Sequence, residues 1–230
     1  MQDLMKYVKT LSPVMGCDLG CEYCYAKNIN KRFHHMANFS KPMFFEYRLT
    51  QLYSGSPKVF NLTSMSDFSS WCKNGWTERV FSTLSKTPLN QYLLQTICPE
   101  ECNFTTDLDN VWFGTSVTTN ADLPRIEKLQ EGIKAKHHYI SFEPLFEDLG
   151  EINLKGIDWV IVGAETGSRK ERVEAQRQWV ENIVKQAQEQ NVPLIMKSSL
   201  IAIVGEEGFI QQVPAEFEKL MVRKSKKSKK

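Results

Sequence analysis

The stretch Asp158-Trp-Val-Ile-Val-Gly163 sets four large apolar residues in a row and closes them with a glycine. A strand with one wet face alternates apolar with polar, so an unbroken run predicts a strand covered on both faces. Strands of that kind belong to parallel sheets, whose neighbours are joined by long crossovers. The flanking sequence agrees. Arg177 to Gln190 has helical spacing through Trp179, Ile183 and Val184, and Pro193 to Met196 then reads as the next strand. Toward the N-terminus, His137–Phe142, Val111–Val117, Gln91–Ile97, Lys58–Thr63 and Tyr7–Pro13 also read as strands. Helical spacing is expected over Leu123–Gln130, Ser70–Leu84 and Met43–Tyr53, with a loop or short helix over Lys27–Lys41. This alternation predicts six or seven βα units in an α/β chain, either an open barrel or a doubly wound sheet. Both arrangements put ligands beyond the carboxyl ends of the strands.

With 230 residues, 41% hydrophobic and 24% charged, the chain suits one soluble domain with a substantial core. No apolar run approaches the ~18 residues of a membrane span. The last nine residues, Val222 to Lys230, hold Arg223, Lys224, Lys226, Lys227, Lys229 and Lys230. Without those six cations the net charge of +2 becomes −4 for the body. The expected division is therefore a single domain over 1–221 and a basic, disordered tail over 222–230. The tail reads equally as a solubilising segment or as an arm that seeks phosphate.

The chemistry centres on Cys17-Asp-Leu-Gly-Cys21-Glu-Tyr-Cys24, with Tyr25 behind it. The spacing is C-x3-C-x2-C with an aromatic residue before the last thiol. Soft thiolates this close together suit a soft metal centre. Three ligands would leave one iron of a 4Fe–4S cube free for a small molecule. Gly16 and Gly20 give the loop room to wrap such a group. Two other readings stay open. A zinc site would need a fourth ligand from Cys72, Cys98, Cys102, His34 or His35, although the second paired motif of structural zinc is missing. A disulfide knot would need an oxidising compartment, yet no secretory segment is read at the start, and a cytoplasmic location is expected. Cys72, Cys98 and Cys102 read as free thiols packing like small hydrophobes. The alternatives are a second cluster or, for Cys98, a hydrogen donor near a strand end.

Polar residues follow almost every expected strand. They are Thr63-Ser64-Met65-Ser66-Asp67, Ser116-Val-Thr-Thr-Asn120, Ser141-Phe-Glu143-Pro144, Gly163-Ala-Glu165-Thr-Gly167-Ser168 and Lys197-Ser198-Ser199. Any one could be a helix cap or turn. Five on the face that also carries the thiol loop predict a pocket.

At the cysteine loop the chain resembles the radical S-adenosylmethionine superfamily. The resemblance implies an α/β fold, a partial, open (β/α)6-type TIM barrel with outer helices. It also implies a 4Fe–4S cluster on Cys17, Cys21 and Cys24, with S-adenosylmethionine at the open iron. By the same resemblance Ser64, Ser66 and Asp67 would meet the methionyl amino group, and Ser116 with Asn120 the ribose. Gly163, Glu165 and the backbone of Tyr23 would meet adenine, and Glu143 and Lys197 are further cofactor-site candidates. Taken together, Ser-Met-Ser-Asp, Gly-Thr-Ser-Val-Thr, Ser-Phe-Glu-Pro-Leu, Trp-Val-Ile-Val-Gly-Ala-Glu-Thr-Gly and Val-Pro-Leu-Ile-Met-Lys resemble a small phage-associated radical-SAM-like family of unassigned role. This likeness runs from about Ser12 to Lys197. A more distant one is to the spore photoproduct lyases. Two departures stand out. Where relatives carry Leu-Thr-Lys-Arg-Pro, this chain has Gln95-Thr96-Ile97-Cys98-Pro99. The lyases' hydrogen-donating cysteine is replaced by Ser64, so thymine-dimer repair is not expected.

The resemblance implies an enzyme that reductively cleaves S-adenosylmethionine to a 5′-deoxyadenosyl radical, which abstracts hydrogen from a substrate. Its electron donor would be a flavodoxin or ferredoxin. The substrate reads as a nucleic acid or nucleotide, reached through the basic tail, or alternatively as a peptide or small molecule. The rivals are a non-catalytic iron–sulfur protein for electron transfer or sensing and a zinc-stabilised nucleic-acid-binding module. Neither needs both the polar strand ends and the βα repetition.

Overall fold

A computed structural model describes residues 3–167 and 169–225. Seven parallel strands lie in chain order across one sheet: β1 (Lys9–Thr10), β2 (Val59–Asn61), β3 (Gln91–Thr96), β4 (Val111–Ser116), β5 (His137–Phe142), β6 (Trp159–Val162) and β7 (Leu194–Met196). The sheet curls into a half-barrel, so the fold is an α/β partial barrel. Val160 pairs with Ile140 on one side and Leu194 on the other, which is why the Trp159–Val162 run has no polar residue. Of the six or seven expected units the sheet has seven strands, one more than a (β/α)6 count, with the two-residue β1 pairing with Phe60 and Asn61 at one edge.

The helices are α1 (Tyr25–Phe33), α2 (Phe68–Asn74), α3 (Thr77–Leu84), α4 (Arg125–Gly132), α5 (Arg177–Glu189), α6 (Ile201–Val204) and α7 (Ala215–Ser225). The single helix expected over Ser70–Leu84 is two. Gly75, at φ 68°, caps α2 in the left-handed conformation and its N–H returns to Cys72 and Trp71, so the chain turns before α3. The helix expected over Met43–Tyr53 is instead a short strand, Met43–Phe44, antiparallel to Val14–Met15, followed by a 3-10 segment at Glu46–Tyr53. The final helix continues to Ser225, four residues into the stretch expected to be disordered from 222. Residues 226–230 and Ser168 lie outside the described residues. Among those described, no helix is long and apolar enough to cross a membrane.

Strand side chains alternate between two faces. Phe60, Leu94, Phe113, Ile140 and Val160 pack outward with the helices in the main core. Val59, Leu93, Trp112, Tyr139, Trp159 and Ile195 point to the concave face. There they meet Leu4, Phe217 of α7 and Met221 in a second core. Trp159 packs edge-on to Phe217 at 5.2 Å, so α7 plugs the amino-terminal end of the half-barrel. Gly114 of β4 leaves the space that the Tyr139 ring fills, since a Cβ there would run into it. The Tyr139 hydroxyl donates to Leu94 O at 3.2 Å or to Gln95 Oε1 at 3.3 Å, which marks the passage from apolar plug to polar mouth.

Candidate active site

Two or four residues beyond Val59, Leu93, Trp112, Tyr139 and Ile195, the same concave face turns polar. Asn61, Thr63, Gln95, Ser116, Glu143 and Lys197 line a cavity of about 400 Å³ at the carboxyl ends of the strands. That size is ordinary for a small-molecule site. Cys17, Cys21 and Cys24 line the same cavity, with Tyr23 and Tyr25.

The cysteine loop is anchored from beneath. Met15, Ala26, Met36, Phe39 and Met65 form a small core of their own, against which Cys17 and Cys24 pack. Gly16 N–H donates to Met65 O at 2.9 Å and Cys17 N–H to Phe39 O at 2.8 Å. Gly16 sits at φ 96°, and a Cβ there would lie 2.9 Å from Phe39 O, so this position admits only glycine. Cys24 then caps α1, its sulfur accepting from Lys27 N at 3.4 Å.

Most of the strand-end residues are held by neighbours. Asp67 is 7% exposed and N-caps α2 through Ser69 N at 2.9 Å. It also accepts from Thr96 Oγ1 at 2.6 Å and Ile97 N at 2.9 Å, so its carboxylate is committed to tying α2 to the loop after β3. Ser64 bonds Ser12 Oγ at 2.8 Å, and the Tyr25 hydroxyl donates to Ser64 O at 2.6 Å. Ser66 accepts from Trp71 Nε1 at 3.0 Å and keeps its own proton to donate. Ser116 accepts from the Gln95 amide. Glu143 and Lys197 form an ion pair on the cavity wall. Gly163 is not on that wall. A Cβ at that position would lie 2.9 Å from the Glu143 carboxyl carbon, so the glycine makes room for the pair. Glu165 is clamped by Arg169 at 2.6 and 2.9 Å and by Val173 N at 3.0 Å, which holds its carboxyl below the usual range. Tyr23 rests edge-on against Phe146 at 5.3 Å, and burial pushes its phenol up to about 12.

Two expected positions fall elsewhere. Asn120 opens a 3-10 turn and is exposed. Its amide donates to Glu147 Oε1 at 3.0 Å and Asp148 O at 2.7 Å, which draws it off the cavity wall. Cys98 also misses the wall, because the chain turns after Ile97 into the 3-10 segment Pro99–Glu101. Cys72 and Cys102 pair in the apolar core behind α2. Hydrogen bonding to Cys72, together with burial, raises the Cys102 thiol. Conversely, Asn61, Gln95 and Tyr25 belong to the site and were missed. Asn61 and Gln95 lie two residues before expected strand ends, so the period of two would have found them.

Cys17, Cys21 and the Asp67 carboxyl at the mouth are shifted chiefly by burial. Burial pushes Cys17 up to about 12, and the nearby negative ends of Asp67, Cys21 and Cys24 add to it. Cys21 is raised by burial and by Cys24. Burial raises Asp67 as well, against the pull of its three donors. The cations beside the mouth are engaged, Lys197 by Glu143, Arg169 by Glu165 and Arg125 by Asp122, and the three free loop thiols remain as soft donors of the kind a thiophilic centre takes. Among the described residues no three His, Cys, Asp or Glu groups are gathered at metal-ligand spacing. None of Cys72, Cys98, Cys102, His34 or His35 shares the cavity wall with the three loop thiols.

Fold and site together define an α/β half-barrel with a thiol-bearing loop closing over a polar mouth. Residues 5–225 match the model of the DUF5131 family, described as proteins of unknown function, and the chain belongs to that family. No curated protein and no solved structure matches the chain.

Proposed function

We propose that this protein is a radical S-adenosylmethionine enzyme whose partial barrel is of the type found in that superfamily. The supporting observation is that three thiols of one C-x3-C-x2-C loop line the cavity at the strand ends, with no fourth thiol or imidazole on its wall among the described residues. Cys17, Cys21 and Cys24 would hold a 4Fe–4S cluster and leave one iron open. When bound, cluster and S-adenosylmethionine together supply a 5′-deoxyadenosyl radical that takes hydrogen from a substrate carbon.

The remaining work belongs to the chain. Ser64 and Ser66 present hydroxyls where the methionyl amino group is expected, while Asp67 holds that loop in place. The Glu143–Lys197 pair offers a carboxylate and an ammonium side by side, which complements a zwitterionic amino-acid end. Ser116, oriented by Gln95, offers a hydroxyl to a sugar. The wall of Tyr23, Tyr25, Ile97 and Pro144 limits water. A flavodoxin or ferredoxin would supply the electron. The same reading puts the chain in the reducing cytosol, where thiols stay unpaired.

The test is anaerobic reconstitution with iron and sulfide, reduction in the presence of S-adenosylmethionine, and assay of 5′-deoxyadenosine. One cluster per chain and formation of the nucleoside are expected. Zinc without iron, or a cluster that yields no nucleoside, would overturn the proposal.

A further inference from the structure

The first helix after the thiol loop has a composition unlike the rest of the body. From Tyr25 to Phe45 there is no Asp or Glu, yet Lys27, Lys31, Arg32 and Lys41 are present with His34 and His35. Every one of these six side chains is exposed. No ion pair among the described residues engages the four cations. This positive segment stands on a body of net charge −4.

Rings accompany the charge. Phe33 is 58% exposed at the end of α1, although a large apolar residue is normally covered. Its ring stacks on His35 at 5.8 Å, and the Arg32 guanidinium lies over it at 5.1 Å from the centroid. Tyr25, at the other end of α1, is 54% exposed and also lines the cavity. Eight steps of helix separate the two, about 12 Å at 1.5 Å per residue. That spans roughly four stacked nucleotides at 3.4 Å each. Cations beside exposed rings match a single strand, whose bases can leave the stack and lie on aromatic faces. A duplex keeps its base faces covered and would use only the cations.

We propose that the surface of α1 and its cap, Tyr25 to His35, docks single-stranded nucleic acid and leads one nucleotide toward the cavity. The fate of that nucleotide rests on the function proposed above. The docking does not, so it is measured as binding. Lys27, Lys31 and Arg32 hold phosphates, and Phe33 with His35 forms the platform for a base. Tyr25 stands where the strand would turn into the mouth.

The probe is a fluorescein-labelled single strand of roughly a dozen nucleotides, RNA or DNA, followed by anisotropy on the full chain across a salt series. A matched duplex and an acidic polypeptide are run beside it. The single strand should bind more tightly than either. Phe33→Ala should weaken it about fivefold or more at an unchanged salt slope, since stacking is uncharged. The double change Lys31→Glu, Arg32→Glu should flatten the slope by about 1.4. All three side chains are exposed, so thermal midpoints should hold. Equal binding of duplex or acidic polypeptide, or indifference to Phe33→Ala, would overturn the proposal. So would binding that disappears wholly in a chain ending at Ser225, because the cations of 226–230 would then be the site. Lost 5′-deoxyadenosine formation with intact binding would count against the proposed function alone.

Discussion

The two ends of the concave face are built on the same strands and do opposite things. At the amino-terminal end Trp112, Tyr139 and Trp159 turn inward and are closed off by Phe217 and Met221 of α7. At the carboxyl end the same strands present Gln95, Ser116, Glu143 and, after β7, Lys197, left open under a loop of thiols. One end buries apolar area and stabilises the fold. The other keeps polar groups and half-buried thiols, of which the fold uses Cys24 to cap α1, and each of them costs stability when desolvated. The contrast teaches where to look for chemistry in a half-barrel. It is the end at which strand residues stop packing against each other.

Substitutions at the two ends should therefore separate cleanly. The largest effect is expected at the loop. Cys17→Ala, Cys21→Ala or Cys24→Ala should abolish iron binding after reconstitution, while urea midpoints of the unreconstituted chains move little. A stability loss as large as that of a core variant would mean the thiols belong to the plug side of the comparison.

Next comes the plug. Phe217→Ala should cost about 3–5 kcal/mol by urea denaturation, as expected of a buried aromatic. Iron bound per folded chain should be unchanged. Coupled loss of iron would show that the two ends are not independent.

Asp67 tests the border between the roles. Its raised carboxyl means the folded state holds the proton more tightly than the unfolded chain. Folded stability should thus fall as pH climbs from the ordinary carboxylate value, about 4, through the raised one. Asp67→Asn should remove that fall. It should also cost about 1–3 kcal/mol at low pH, where an amide would face the Ile97 N–H. A pH response that is unaltered would assign the fall to another group.

Lys197→Met should weaken S-adenosylmethionine binding about tenfold with the cluster spectrum intact. Calorimetry on the reconstituted protein reads this. An unchanged affinity would leave the Glu143–Lys197 pair a purely structural bridge.

The fold was readable where burial on both faces leaves an unbroken apolar run. Trp159–Val162 is covered on both faces, and His137–Phe142 was found with its observed limits. Gly75 was legible as a residue but not as the break between α2 and α3, because Trp76, Val80 and Leu84 repeat every four residues and the step of five from Trp71 was passed over as part of the same helix. The plug helix was hidden by charge, since Glu216, Glu218 and the cations after Met221 outweigh Phe217 in any local window. In the site, a reading that began at strand ends passed over Asn61 and Gln95, which lie inside the strands. It carried Asn120 too far because Glu147, which captures it, lies 27 residues away. The thiol loop was legible because its spacing is local.

The most direct test of the central claim is electron paramagnetic resonance of the reduced, reconstituted protein before and after S-adenosylmethionine is added. An open iron facing the cavity predicts one cluster signal that changes shape when the sulfonium compound binds. A signal indifferent to S-adenosylmethionine, in protein with a full cluster, would contradict the account.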